Sequence, residues 1–258
     1  MCILFIAVKK HPDYPLIIAA NRDEFHARPT KEMHWWKGEN LLAGKDTQAG
    51  GTWLAITNQG DISALTNYRK LPLVQGNFNS RGKLPLLALR SSSAEINQHL
   101  TTEHRQYQGF NLLYGNSQGL MCFDSVKQQF TEIKSGFHSI CNGSLDDIWP
   151  KMAQGEIALE TYVTQNKVIE HDALLSILQN TQRAPDELLP DTGIGLEWER
   201  KLSAIKIEGP EYGTRSSCVY TQSVSGKIHV SETTYCPQGK IIKKHTFDWI
   251  LDIKNATC

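Results

Sequence analysis

The chain has 258 residues, 27 Lys+Arg against 27 Asp+Glu, and 40% hydrophobic residues. This is the balance of a soluble globular protein, long enough for one large domain or two small ones. A formal net charge of zero argues against a protein that coats nucleic acid, which needs a basic surface.

The apolar stretch Ile3–Val8 is too short for a secretion signal and runs directly into Lys9-Lys10. No run approaches the length needed to cross a bilayer as a helix. The expectation is a cytoplasmic chain. Ile3–Val8 and Leu16–Ala20 read as paired strands around the turn HPDYP. A second hairpin pairs Trp53–Thr57 with Asp61–Thr66 around Asn58-Gln59-Gly60. A third pairs Asn111–Tyr114 with Leu120–Phe123 across Gly115–Gly119, and a fourth pairs Arg215–Gln222 with Lys227–Glu232 across Ser223–Gly226. Repeated hairpins mean antiparallel sheet.

Three helices are predicted among them. Ser93–Thr102 follows a serine run suited to an N-cap. Ile148–Ala158 carries Trp149-Pro150 near its start. His171–Gln179 has the apolar spacing of a helix. Asn180–Gly195, with two prolines and two glycines, reads as a mobile loop. No repeat and no low-complexity segment is seen, and nothing marks a domain boundary. Strand groups alternating with helical groups predict sheets layered with helices, in a single domain over 1–258.

The six cysteines, Cys2, Cys122, Cys141, Cys218, Cys236 and Cys258, are scattered, with no CxxC pair and no zinc spacing. They read as reduced thiols. Cys2 stands out because it opens the first strand. With Met1 attached it is an ordinary buried thiol. With Met1 removed it carries a free amine beside its own thiol, which is a catalytic arrangement.

Five further stretches carry chemistry. Asn21-Arg22-Asp23-Glu24 follows the second strand and reads first as a solvated turn. Hairpin pairing nevertheless brings it near Cys2, where an arginine would lower the thiol pKa. Gly50-Gly51-Thr52-Trp53 permits positive φ or close backbone approach. Asn67, in Ala64–Arg69, can donate to an oxyanion or cap a turn. Ile140-Cys141-Asn142-Gly143 is first a turn signal. Arg215, in Gly213–Ser217, can clamp an anion or lie on the surface. These residues all fall at strand ends, which can converge on one mouth of a layered sheet.

The set MCI, NRDE, GGTWLAIT, ALTNYR, NSRG and GTRSS resembles the NRDE family, whose eukaryotic members are the transport and Golgi organisation proteins. That family is distantly similar to N-terminal nucleophile hydrolases of the choloylglycine hydrolase and penicillin V acylase group. The resemblance implies an α+β fold of αββα type, a four-layer sandwich with two antiparallel sheets between helical layers. It also implies a catalytic set: Cys2 as nucleophile, Arg22 and Asp23 beside it, Asn67 and Asn142 as oxyanion donors, and Arg215 as a late active-site arginine.

Two functions are implied. The first is intracellular haem handling, the binding and transfer of haem, with effects on lipid metabolism. In that reading Trp35, Trp36 and Trp53 offer aromatic surface, and Arg22, Arg69 or Arg215 meet the propionates. Asn21, Arg22, Asp23, Glu24, Trp53 and Arg69 are the expected ligand-binding residues. The iron ligand is left open among Cys2 and nine histidines, of which His26 and His34 lie nearest the motifs. The alternative is a cysteine hydrolase that cuts a non-peptide amide or thioester through acyl-Cys2. A fatty-acyl or acyl-CoA binder ranks third. No cofactor is expected to be required, with haem entering as cargo. The expected partner is a small hydrophobic anion, not a nucleic acid.

Overall fold

The computed structural model describes residues 2–69 and 75–251; Met1 and Cys258 lie outside the described residues. In chain order the strands β1 (Cys2–Val8), β2 (Leu16–Phe25), β3 (Thr30–Trp35), β4 (Leu41–Asp46), β5 (Leu54–Thr57) and β6 (Ile62–Asn67) come first. Helices α1 (Leu84–Arg90) and α2 (Ser93–Glu103) follow. Next come β7 (Phe110–Gly115), β8 (Leu120–Asp124), β9 (Gln129–Ile133) and β10 (Gly136–Ile140). After α3 (Pro150–Gln165), α4 (His171–Leu178) and α5 (Leu196–Lys201), the strands β11 (Tyr212–Gln222), β12 (Lys227–Tyr235) and β13 (Ile241–Ile250) close the described chain.

The strands form two antiparallel sheets. One has the order β10-β1-β2-β11-β12-β13, and the other runs β3 to β9 in sequence. Side-chain alternation assigns the layers. Leu4, Ile6, Leu16 and Ile18 of the first sheet pack against Leu42, Ile56, Ile62 and Leu113 of the second. The odd-numbered neighbours Ile3, Phe5 and Ile17 face α3 and α4 through Met152, Leu159, Leu174 and Leu178. On the far side, Leu84, Ile96 and Leu100 of α1 and α2 cover Phe110, Leu112 and Phe123. The result is the predicted αββα sandwich.

All four expected hairpins are present. Gly60 and Gly226 take positive φ in the turns where they were expected (+86° and +81°). Helix α2 starts at Ser92, whose side chain accepts from the Glu95 N–H while Glu95 reaches back to the Ser92 N–H. That reciprocal capping box makes this the best-specified helix start in the chain. Residues 180–195 hold no strand or α-helix, only a short 3-10 turn at Asp186–Leu188.

The second strand is longer than its apolar run. It continues through the polar tetrapeptide to Phe25, paired with β1 on one side and β11 on the other. Asn21, Arg22 and Asp23 are therefore only 1%, 5% and 1% exposed, and the solvated-turn reading of them is corrected. Among the described residues, no helix is long and apolar enough to cross a membrane. Cys2, Cys122, Cys141, Cys218 and Cys236 are all free thiols.

Candidate functional site

The open end of the sandwich holds a cavity of about 470 Å³, with Cys2 among its lining residues. Cys2 pairs directly with Arg22 across β1 and β2, so both side chains leave the same face of the sheet, the one toward the second sheet. Glu24 follows on that face and also lines the cavity. Asn21 and Asp23 alternate to the opposite face and do not line it.

Asn21 is a structural tie. Its amide donates to the carbonyls of Leu178 (2.8 Å) and Ile205 (3.0 Å), and its carbonyl accepts from the Ser217 hydroxyl at 2.5 Å. It fastens β2 to the helical layer, away from the cavity where a ligand contact was expected. Asp23 accepts from the Thr214 hydroxyl at 2.7 Å. Burial pushes its carboxyl up, opposed by Lys151, the amino terminus and Arg22. Asp23 lies on the side of the sheet away from the cavity.

Burial also dominates at Cys2, whose thiol is pushed up to about 11. The amino terminus and Arg22 pull it down, and Asp23 and Glu24 push it further up. At neutral pH such a thiol is thiolate in roughly one molecule in ten thousand. It needs a base to become a nucleophile.

Trp53 forms one wall. The Arg22 guanidinium lies 4.5 Å from its ring centroid, a cation–π contact. The ring fits because Gly44 on β4 has no side chain; a Cβ there would collide with the indole. The Gly50-Gly51 pair serves both expected purposes. Gly50 takes φ +74°, and Gly51 lies so close to the backbone of Gly82 that a Cβ would collide with it. The contact is fixed by the Thr52 N–H donating to the Gly82 carbonyl at 2.8 Å. It brings the segment Asn79-Ser80-Arg81-Gly82 onto the cavity wall.

Arg81 is thereby a site residue that the sequence motifs contained without marking. Its Nη1 donates to the Gly109 carbonyl at 2.8 Å. Burial lowers its pKa, and Glu24 and Cys2 oppose that. Arg28 joins it, held by Asp46 through Nε (2.8 Å) and Nη2 (2.7 Å). Three guanidiniums, Arg22, Arg28 and Arg81, thus face two carboxylates, Glu24 and Asp46, and the cavity has an excess of positive charge.

Asn67, at the end of β6, lines the cavity. Asn142 does not. Its side-chain amide donates to the Asn67 carbonyl at 2.9 Å, and its own carbonyl accepts from the Arg69 N–H at 2.7 Å. It acts on the cavity only by holding the strand end that carries Asn67. Buried Asn111 braces the same junction, donating to Thr66 Oγ1 (3.0 Å) and the Gly143 carbonyl (2.7 Å).

Arg69 does not line the Cys2 cavity. It pairs with Glu199 at 3.0 Å and lies 4.7 Å over the Trp149 ring, both groups being buried. Arg215 lines a separate, smaller cavity together with Arg22 and Trp53. Trp36 is packed under α1 and donates to the Ala43 carbonyl, and Trp35 stands edge-on to Trp249. His26 and His34 bond backbone carbonyls. Neither lines the Cys2 cavity, and no other histidine among the described residues does. No group of three or more His, Cys, Asp or Glu among the described residues could hold a metal ion.

The comparisons fit this architecture. The family model described as "Transport and Golgi organisation 2" matches residues 1–237. A Transport and Golgi organization protein 2 homolog of Bos taurus is 30% identical over 255 residues, covering 90% of this chain and 92% of that one. The Drosophila melanogaster protein of that name is 25% identical, covering 95% and 97%. Among solved structures, a mutant of the conjugated bile acid hydrolase from Clostridium perfringens superposes with a TM-score of 0.52 at 10% identity, each chain fully covered. The likeness to that hydrolase is one of fold.

Proposed function

This chain belongs to the Transport and Golgi organisation 2 family, and we propose that its Cys2 cavity is an acyl-transfer site of the N-terminal nucleophile type. Its substrate is an amide or thioester carrying negative charge. The observation that carries the reading is the pairing of Cys2 with Arg22 at a cavity that Asn67 also lines. The fold shared with a hydrolase supports it.

In this reading, loss of Met1 frees the α-amine of Cys2. An α-amine titrates near about 7.7–8.0, so a useful fraction is neutral at pH 7 and can take the thiol proton. Asp23 holds the protonated amine from the helical side of the sheet. Sγ attacks the acyl carbonyl, and Asn67 donates to the oxyanion. The amine returns its proton to the leaving nitrogen or sulfur, and water then releases the acid from acyl-Cys2. Arg22 neutralises charge beside the thiolate, and Arg28 and Arg81 attract the anionic substrate. Asn142 acts through the Asn67 carbonyl as a positioning residue.

The test compares three proteins on anionic amides and thioesters: the chain beginning at Cys2, the chain retaining Met1, and a Cys2→Ala chain. Turnover by the first alone is expected. Equal turnover by all three, or by none across the panel, contradicts the reading.

A carrier function is the second reading, favoured by the same walls. Trp53 and Phe78 offer ring surface, and the arginines suit the propionates of haem or the head of a fatty-acyl or acyl-CoA ligand. Since no histidine among the described residues lines the wall, Cys2 would be the iron ligand. Haem titration of Cys2→Ala protein tests this, the expected result being a lost thiolate spectrum.

A further inference from the structure

Beside the Cys2 cavity lies a second one of about 130 Å³, and the two share Arg22 and Trp53 as walls. Its composition follows from strand register. Cys2 pairs with Arg22, Arg22 with Ser216, and Ser216 with Thr234, so one transverse row runs across β1, β2, β11 and β12. Arg22, Ser216 and Thr234 all line the smaller cavity.

The neighbouring Arg215 joins them because the ladder between β2 and β11 is interrupted there. Thr214 pairs with Asp23 and Ser216 with Arg22, which leaves Arg215 as the extra residue of a β-bulge. A bulge re-aims a side chain that strict alternation would send to the other face. Arg215 Nη1 is anchored by the carbonyls of Phe25 (3.0 Å), His26 (3.2 Å) and Arg28 (3.2 Å), so the guanidinium is held in place.

Two polar atoms on these walls are buried without a partner: Nη1 of Arg22, whose side chain is 5% exposed, and Oγ1 of Thr234, in a residue 7% exposed. Buried polar groups are almost always satisfied, so each such exception calls for an explanation. The charges are also unbalanced. Burial and the nearby Arg22 disfavour the charge on Arg215, and Glu24 opposes them. Two carboxyls lie on the walls as well. Glu32 is engaged by Lys243 (2.6 Å) and His245 (2.8 Å). Glu232 accepts from the Met33 N–H at 2.7 Å, and burial pushes its pKa up to about 7. Glu232 therefore keeps its proton through the lower half of the neutral range and does not cancel the two guanidiniums there.

We propose that this cavity is a carboxylate subsite, in which Arg22 Nη1, Arg215 and the Thr234 hydroxyl receive the acid group of a substrate whose acyl bond lies at Cys2. Neighbouring strands are about 4.8 Å apart, so the middle of the Arg22–Ser216–Thr234 row lies on the order of 10 Å from Cys2. The substrate class is then an acyl amide or thioester with a carboxylate several bonds from the cleaved link. Only that placement rests on the acyl-transfer reading; the anion site rests on the unpartnered groups themselves.

The experiment uses the full chain carrying Cys2→Ala, which cannot turn over. Propionate labelled with ¹³C at the carboxyl is titrated and followed by NMR, with inorganic phosphate as comparator. Saturable propionate binding is expected, weakened by about tenfold in Thr234→Val, which keeps the side-chain volume and removes one charge-assisted hydrogen bond. Arg215→Met should weaken it further. Because Arg215 also anchors three carbonyls, Thr234→Val is the deciding variant. Absence of saturable propionate binding, saturation by phosphate alone, or unchanged affinity in Thr234→Val overturns the proposal. Propionate binding in a protein that hydrolyses no acyl substrate would leave the subsite standing and remove the acyl-transfer reading.

Discussion

Glu232→Gln puts a number on the electrostatics behind the site. Glu232 is a buried carboxyl on β12, and burial raises it from an ordinary 4.5 to about 7. The folded protein therefore holds a proton that the unfolded chain has already lost between those values. Stability must fall as pH rises from 4.5 towards 7 and level off above. At about 1.4 kcal/mol per unit, the full loss is about 3.5 kcal/mol, of which about 2.5 lies between pH 5 and pH 8. Glutamine imitates the protonated acid and keeps a carbonyl oxygen for the Met33 N–H. Urea unfolding at a series of pH values, with a constant m-value, should show Glu232→Gln gaining on the parent by about 2 kcal/mol or more between pH 5 and pH 8. Parallel pH profiles would refute the reasoning, because Glu232 would then titrate alike in both states.

Three further outcomes follow from named contacts. His171 is buried between the hydroxyls of Ser231 and Thr221, and burial, followed by its neighbour His229, lowers it from 6.5 to about 3. Its contribution is present above pH 6.5 and is lost as pH falls towards 3, so His171→Asn should flatten the acid limb of the stability profile. Gly51→Ala forces a Cβ into the Gly82 backbone. It should cost about 1–3 kcal/mol in thermal unfolding and weaken anion binding by displacing Arg81. Arg69→Met leaves Glu199 buried with, among the described residues, the Thr192 N–H and hydroxyl as its remaining hydrogen-bond partners, and chemical denaturation should show a loss of about 3 kcal/mol.

The layered fold was legible because its signals are local. The turns after β1, β5, β7 and β11 and the capping box of α2 each lie within a few residues of sequence. Elements that depend on distant partners were not legible. α1 has only seven residues, and β13 is mostly exposed, with Lys243 and Lys244 on an edge strand, so neither shows a clear apolar period. The tetrapeptide Asn21–Glu24 was visible as chemistry but not as strand. Its division into two faces follows only from pairing with β1 and with β11, which lies nearly two hundred residues away. Arg81 reaches the cavity through a glycine contact thirty-one positions apart in sequence, Gly51 against Gly82, and Arg69 leaves it for a carboxylate on α5. In each case tertiary pairing decided where a recognisable motif residue pointed.

The most direct test of the central claim is the intact mass of the chain beginning at Cys2, acid-quenched during reaction with an anionic activated acyl ester. The account predicts a single acyl adduct mapping to Cys2, which forms in a burst and decays on turnover. It predicts no such adduct on Cys2→Ala or on the chain retaining Met1. An adduct of the same yield in the Met1-bearing chain, or none at Cys2 while the ester is still hydrolysed, would contradict it.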